Sequence, residues 1–168
     1  VEESYGEDPY LCGIFARSEV KGYLDSGISP MLKHYGPHGN PLGGLNLASV
    51  DCGVYDLHAV YLKPFEMVLR HLPVYAVMST YNSWNRVPNS ASRYLLTDIL
   101  RNRWGFKGYV YSDWGAIEML ENFHHTAANK AEAATQALTA GLDVEASSEC
   151  YPELSRLVKE GKLEEAYI

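Results

Sequence analysis

Four short apolar runs limit what this chain can fold into. Each closes on polar or ionisable side chains, and each is separated from the next by a stretch of helical periodicity. Residues 28–35 (ISPMLKHY) close on Lys33-His34, and residues 74–80 (VYAVMST) lead into Tyr81-Asn82. Residues 108–113 (GYVYSD) end in Ser112-Asp113, and residues 142–146 (LDVEA) carry Asp143 and Glu145. The β-branched and aromatic residues in these runs favour a pleated, half-buried surface. Between them, helices are predicted over 10–24 (Leu11, Ile14, Phe15 and Val20 on one face) and over 55–72, the latter kinked or split by Pro64. Further helices are predicted around Leu95, Leu96, Ile99 and Leu100 with Asn89 or Ser90 as cap, over 126–140 up to Gly141, and over 153–160. Strands alternating with helices of about 10–15 residues imply βαβ units and a parallel sheet.

In a parallel α/β sheet the carboxyl ends of the strands are where ligands bind, so the polar closures are the candidate site. Asp113 followed by Trp114 is suited to carbohydrate chemistry. A carboxylate can attack or stabilise a cationic sugar carbon, and an indole can cover the apolar face of a pyranose. Taken alone, Asp113 could equally cap the next segment and Trp114 fill a core gap. The Gly/Pro-rich stretch 36–44 after the first strand is long for an idle connection. A closed eight-unit barrel needs about 250 residues. The 168 residues here, with about four βα units, leave either a small open sheet or half of a larger barrel.

A net charge of −7 with no basic cluster speaks against a nucleic-acid surface. No apolar run approaches the roughly 20 residues of a membrane helix, so no membrane insertion is expected. The charged start Val1-Glu2-Glu3, without an initiator Met, does not read as a signal peptide and is expected to lie inside a longer protein. Cys12, Cys52 and Cys150 are scattered and odd in number, giving neither a disulfide framework nor metal-ligand spacing. His124 and His125 are adjacent and point apart, and residues 36–44 lack the lysine of a phosphate-binding loop. No metal and no cofactor is predicted.

Four segments, LKHYGPHG, VMSTYNSWNRVPNSASRYLLTDILRNRWGFKGYVYSDWGAIEML, QALTAGLDVE and the leading ESYGEDPYL, resemble family 3 glycoside hydrolases of the β-glucosidase/β-xylosidase branch. They run in order from about residue 2 to about residue 162. The resemblance implies a (β/α)₈ TIM barrel, of which residues 1–168 would be the second half, truncated at both ends, in a retaining exo-acting enzyme that removes terminal β-D-glycosyl residues. It implies that Asp113 is the catalytic nucleophile and that Lys33 and His34 hydrogen-bond hydroxyls of the terminal sugar. It places Tyr81 beside the nucleophile, Met78 in the sugar pocket and Trp114 as an aromatic wall near the leaving group. Ionising the nucleophile would be favoured by the Lys33 cation and by the Tyr81 hydroxyl.

Retaining hydrolysis needs a second carboxyl group about 5–5.5 Å from the first. In most of the family it comes from a second domain, and no glutamate here matches it. The partners implied are a β-linked oligosaccharide or glycoside, the missing barrel half and that second domain. The isolated chain is expected to turn over little substrate and to expose sheet edges and apolar faces. Relatives of this kind imply a periplasmic or secreted parent. Three alternatives stay open: an N-acetylglucosaminidase-type enzyme using Asp56 and His58, a non-catalytic sugar-binding half-barrel, and a lyase with Lys33 as Schiff base.

Overall fold

In the computed structural model, which describes residues 3–168, three strands lie side by side and parallel. They are β1 (Met31–Tyr35), β2 (Ala76–Ser79) and β5 (Tyr109–Tyr111), in the order β1-β2-β5. Met31 pairs with Ala76, and Ala76 in turn with Tyr109, so the three carboxyl ends lie together. Val1 and Glu2, which begin the charged start, lie outside the described residues.

The fourth apolar run departs from expectation. It forms an isolated parallel bridge, Val144 to Tyr111, rather than a strand. Its acidic residue Asp143 is turned to other use: one carboxylate oxygen accepts from Val110 N at 2.6 Å and from Arg101 at 2.5 Å. The first strand is shorter than its apolar run, because Ile28 belongs to the turn that ends the preceding helix, its N–H bonding Tyr23 O.

Helix α1 (Pro9–Asp25) starts where Asp8 accepts from Leu11 N at 2.6 Å, with Pro9 in the position where a missing N–H costs nothing. The 55–72 prediction breaks at Pro64 as expected. A helical stretch, α2 (Val54–Asp56) continuing over Leu57–Tyr61, gives way to α3 (Lys63–Leu69). The helix Tyr94–Arg103 has wide i→i+5 turns and begins after Ser92, whose hydroxyl accepts from Leu95 N at 3.3 Å. Asn89 and Ser90, expected as caps, are instead buried in a tight turn. A one-turn helix, α4 (Met119–Asn122), follows β5. Then α5 (Lys130–Ala140) starts four residues later than predicted because Asn129 is its cap. Helix α6 (Pro152–Lys159) closes the chain.

The core lies between the sheet and these helices. Val77 and Val110 pack under Leu95, Leu96, Ile99 and Leu100, all essentially inaccessible. Ala133, Ala134, Ala137 and Ala140 recur on the inner face of α5, small enough for close helix packing. On α1, Tyr10, Leu11 and Phe15 are exposed, Phe15 stacking on Tyr5. No helix among the described residues is long and apolar enough to cross a membrane.

A feature missed at the sequence level is the hairpin β3 (Ser83–Trp84) and β4 (Val87–Pro88). Its two turn residues, Asn85 and Arg86, both have positive φ (48° and 73°). Tight hairpins use this turn because its twist matches the strands, and they favour Asn-Gly; Arg at the second position masks the signal. The Arg86 guanidinium reaches Asp51 only at 3.5 Å in an exposed pair, which offsets little. Arg86→Gly is therefore expected to stabilise the fold by about 0.5–1 kcal/mol. The check is a higher urea midpoint with an unchanged slope; a lower midpoint would mean that the Asp51 pair outweighs the backbone strain.

Candidate functional site

Asp113 stands two residues beyond Tyr111, the carboxyl end of β5, and the backbone on both sides of it is tied down. Ser112 N donates to Val144 O at 2.8 Å, and Gly115 N donates to Ala146 O at 2.8 Å. The Ser112 hydroxyl accepts from Ala146 N at 2.8 Å. Gly115 has φ 72°, which only a residue without a Cβ adopts at no cost, so the chain can turn away immediately after Trp114. The 142–146 run thus serves as the clamp that aims Asp113.

Asp113 as a whole residue is only 8% exposed. Its Oδ1 accepts from Trp114 N at 2.7 Å. Its Oδ2 is buried with no hydrogen-bond partner among the described residues. His34 Nε2 stands 3.3 Å from that oxygen, close but without hydrogen-bond alignment. Burial first, and the adjacent His38 imidazole second, hold His34 below the ordinary imidazole range, against the pull of Asp113. Tyr81 sits beside the same carboxylate, and burial together with that negative charge pushes its phenol up to about 12. A phenol held this firmly protonated is a hydrogen-bond donor over the whole physiological range. The Tyr81 backbone is fixed in turn by His124, whose Nε2–H donates to Tyr81 O at 2.9 Å.

The structure brings Asp113, His34 and Tyr81 together, with Trp114 adjoining them. The Trp114 indole is 72% exposed, so it is neither core filler nor buried by any described neighbour. Lys33 does not join the group. The Lys33–His34 peptide is cis, and Lys33 Nζ pairs with Glu3 at 2.6 Å on a partly exposed surface. Met78 is half-buried on β2, where its register partner is Tyr111 on β5.

Two alternatives lose ground on geometry. An ion-paired, partly exposed Lys33 lacks the desolvation a Schiff-base lysine needs. Asp56 and His58 form no ion pair among the described residues, and His58 Nε2 is 3.5 Å from the Tyr94 hydroxyl. Among the described residues, no group of three or more His, Cys, Asp or Glu side chains converges to hold a metal ion.

Neither His38 nor Thr80 is among the site residues predicted from the sequence, although both border the site. The available signal was the run Ser79-Thr80-Tyr81-Asn82, four polar groups in succession at a strand end, opposite a histidine in the Gly/Pro-rich loop.

The profile of the Glycosyl hydrolase family 3 N terminal domain matches residues 1–168. The chain belongs to this family. Among family 3 relatives, a periplasmic β-glucosidase of Salmonella typhimurium is 37% identical over 170 residues, covering 96% of this chain and 22% of the relative. A β-xylosidase of Formosa agariphila is 35% identical over 153 residues, covering 86% of this chain and 21% of the relative. Among solved structures, a β-glucosidase of Erythrobacter marinus superposes with a TM-score of 0.94 at 34% identity, over 99% of this chain and 23% of that one. A β-glucosidase of Listeria innocua, solved in complex with glucose, gives a TM-score of 0.91 at 31% identity, over 98% and 24%. The chain therefore spans about a fifth to a quarter of the family 3 proteins it matches, and its α/β fold with parallel strands is that of a partial family 3 barrel.

Proposed function

We propose that residues 1–168 form the later part of the barrel domain of a longer family 3 enzyme, supplying the nucleophile and part of the sugar pocket of a retaining exo-β-glycosidase. The observation that carries this reading is the Asp113 carboxylate. One of its oxygens is held by the Trp114 N–H and the other is buried and unbonded. Unpartnered buried acceptors are rare and call for a reason, and a nucleophilic oxygen that must keep its lone pairs free is one.

In this reading Asp113 Oδ2 attacks the anomeric carbon while the bond to the aglycone oxygen breaks. The aglycone oxygen takes a proton from an acid contributed outside this chain, since no second carboxylate takes part in the contacts around Asp113 among the described residues. Water then attacks the anomeric carbon of the glycosyl ester, losing a proton to that same external group now acting as base, and the bond to Asp113 Oδ2 breaks to release the carboxylate. Tyr81, fixed by His124 and firmly protonated, donates toward the carboxylate or the charge developing at the ring oxygen. His34 offers Nε2 to a sugar hydroxyl, and Lys33 does so from the rim once Glu3 shares or yields it. The exposed Trp114 indole is placed to stack against the aglycone side. The substrate class is a terminal β-linked glucosyl or xylosyl residue, as the names of the relatives suggest.

The test is covalent trapping of the whole enzyme with a 2-deoxy-2-fluoro-β-glucoside bearing a good leaving group, read by intact mass and peptide mapping. The expected result is one added fluoroglucosyl group, on Asp113. An enzyme that turns over aryl β-glycosides but carries the label on another residue would sink the assignment.

A further inference from the structure

His38 lies on the loop after β1, outside the Asp113–His34–Tyr81 group, and it is tied across the sheet to the end of β2. Its Nδ1 is 2.9 Å from Thr80 Oγ1 and 2.8 Å from Asn82 Oδ1. The orientation of Asn82 is fixed independently, because its Nδ2 donates to Ala48 O at 2.7 Å and so its Oδ1 must face His38. The Thr80 hydroxyl spends its proton on the same Oδ1, at 2.9 Å. Both groups facing Nδ1 are therefore acceptors, and Nδ1 must carry the proton. Thr80 and Asn82 are themselves buried, so this anchor is part of the folded interior and not a surface contact.

The other side of the His38 ring packs on His34, with centroids 4.6 Å apart and planes 38° from parallel. His34 is thereby held between His38 and the Asp113 carboxylate. We propose that His38 is a positioning residue: anchored through Nδ1–H to Thr80 and Asn82, its ring buttresses His34 against Asp113. The same contact, after burial, favours the uncharged form of His34. A charged His34 would close an ion pair on Oδ2 and occupy the lone pairs the nucleophile needs. A neutral one can serve a sugar hydroxyl and leave Oδ2 free. Besides His38, the charged or titratable groups that bear on His34 are Asp113, its chain neighbour Lys33, and Glu3. The catalytic meaning of the buttress rests on Asp113 being the nucleophile; its geometry does not.

The experiment has two arms. The first uses ¹⁵N-histidine labelling of the whole enzyme and multiple-bond ¹H–¹⁵N correlation, which reads each tautomer directly, with His34 and His38 assigned by substitution. The expected result is His38 in the Nδ1–H form at neutral pH, and an upward shift of the His34 titration in His38→Gln. Finding His38 with its neutral proton on Nε2, or finding the His34 titration unmoved in His38→Gln, would overturn the proposal. The second arm is kinetic, in the whole enzyme. His38→Gln and Thr80→Val are each expected to lower kcat/KM for an aryl β-glycoside by roughly ten- to a hundredfold, the scale of a misplaced contact group. A His38→Gln enzyme within twofold of wild type would also overturn it. If the wild-type enzyme hydrolyses no glycoside, the Asp113 reading fails, while the tautomer and titration still judge the buttress.

Discussion

Asp113→Asn in the whole enzyme is expected to lower kcat for an aryl β-glucoside by about 10⁴-fold or more, the scale seen when a group that acts only in the transition state is removed. The substituted amide can still accept from Trp114 N through its oxygen, so the backbone geometry at 112–115 stays clamped to Val144 and Ala146. What is lost is the charge and the free lone pairs of Oδ2, and without them no glycosyl ester forms. Stability should move the opposite way. Asp113 as a whole residue is only 8% exposed, with one carboxylate oxygen unpartnered and a half-buried imidazole as its nearest basic neighbour. A neutral amide there removes the cost of burying an incompletely compensated charge. The expected signature is therefore a dead enzyme with a melting temperature equal to or above that of wild type. Asp113→Gly with added azide extends the test, because an anion that enters the vacated space attacks the same carbon and leaves a glycosyl azide of inverted configuration. An Asp113→Asn enzyme that keeps a few per cent of wild-type kcat would show that another group forms the bond.

How far the sequence carried this reading depends on which interactions are local. The alternation of helical and strand periodicity was enough to place β1, β2, β5 and the helices between them, because Val77, Val110 and the Leu95–Leu100 face record their burial in their spacing. The Asp8 and Asn129 caps are local features that the sequence reading did not single out, and the alanine-rich approach to α5 concealed where that helix begins. What spacing could not record are contacts across the strand ends. Nothing within 142–146 announces that the run would bridge Tyr111 at one residue and otherwise clamp Ser112 and Gly115. The hairpin was hidden because Arg86 stands where a glycine would have marked the turn. The pairing of Lys33 with Glu3, and the lock of His38 on Thr80 and Asn82, join residues about 30 to 44 positions apart. Such pairs carry no local pattern, so spacing alone named candidate residues singly; the family resemblance set Tyr81 beside Asp113, and the fold adds the approach of His34 Nε2 to the same carboxylate.

The largest structural effect is expected at Gly108, the residue before β5. A Cβ there would lie 2.2 Å from Tyr75 O, 2.5 Å from Tyr75 C and 2.7 Å from Phe106 Cζ. The first two are backbone atoms of the segment leading into β2, and Tyr109 N donates to that same Tyr75 O at 3.0 Å. The methyl group of Gly108→Ala cannot be accommodated by turning a side chain, so β5 must draw away from β2. Doing so strains the pairing of Ala76 with Tyr109 and the Arg101 contact to Gly108 O at 3.1 Å. The cost is about 3 kcal/mol or more, at the upper end of single substitutions, or a fall of roughly 6–12 °C in Tm for a chain of this length. Gly22 in α1 is the matched control. The same methyl group meets nothing within 4 Å there, so Gly22→Ala should stabilise by about 0.5–1 kcal/mol through the entropy of the unfolded chain alone. Activity adds a second readout, since Asp113 stands two residues beyond the end of β5: Gly108→Ala enzyme assayed well below its own Tm should have lost turnover, whereas Gly22→Ala should keep it. Equal melting temperatures for the two variants would mean that β5 does not approach Tyr75 as closely as this, and the placement of Asp113 relative to His34 on β1 would have to be redrawn with it.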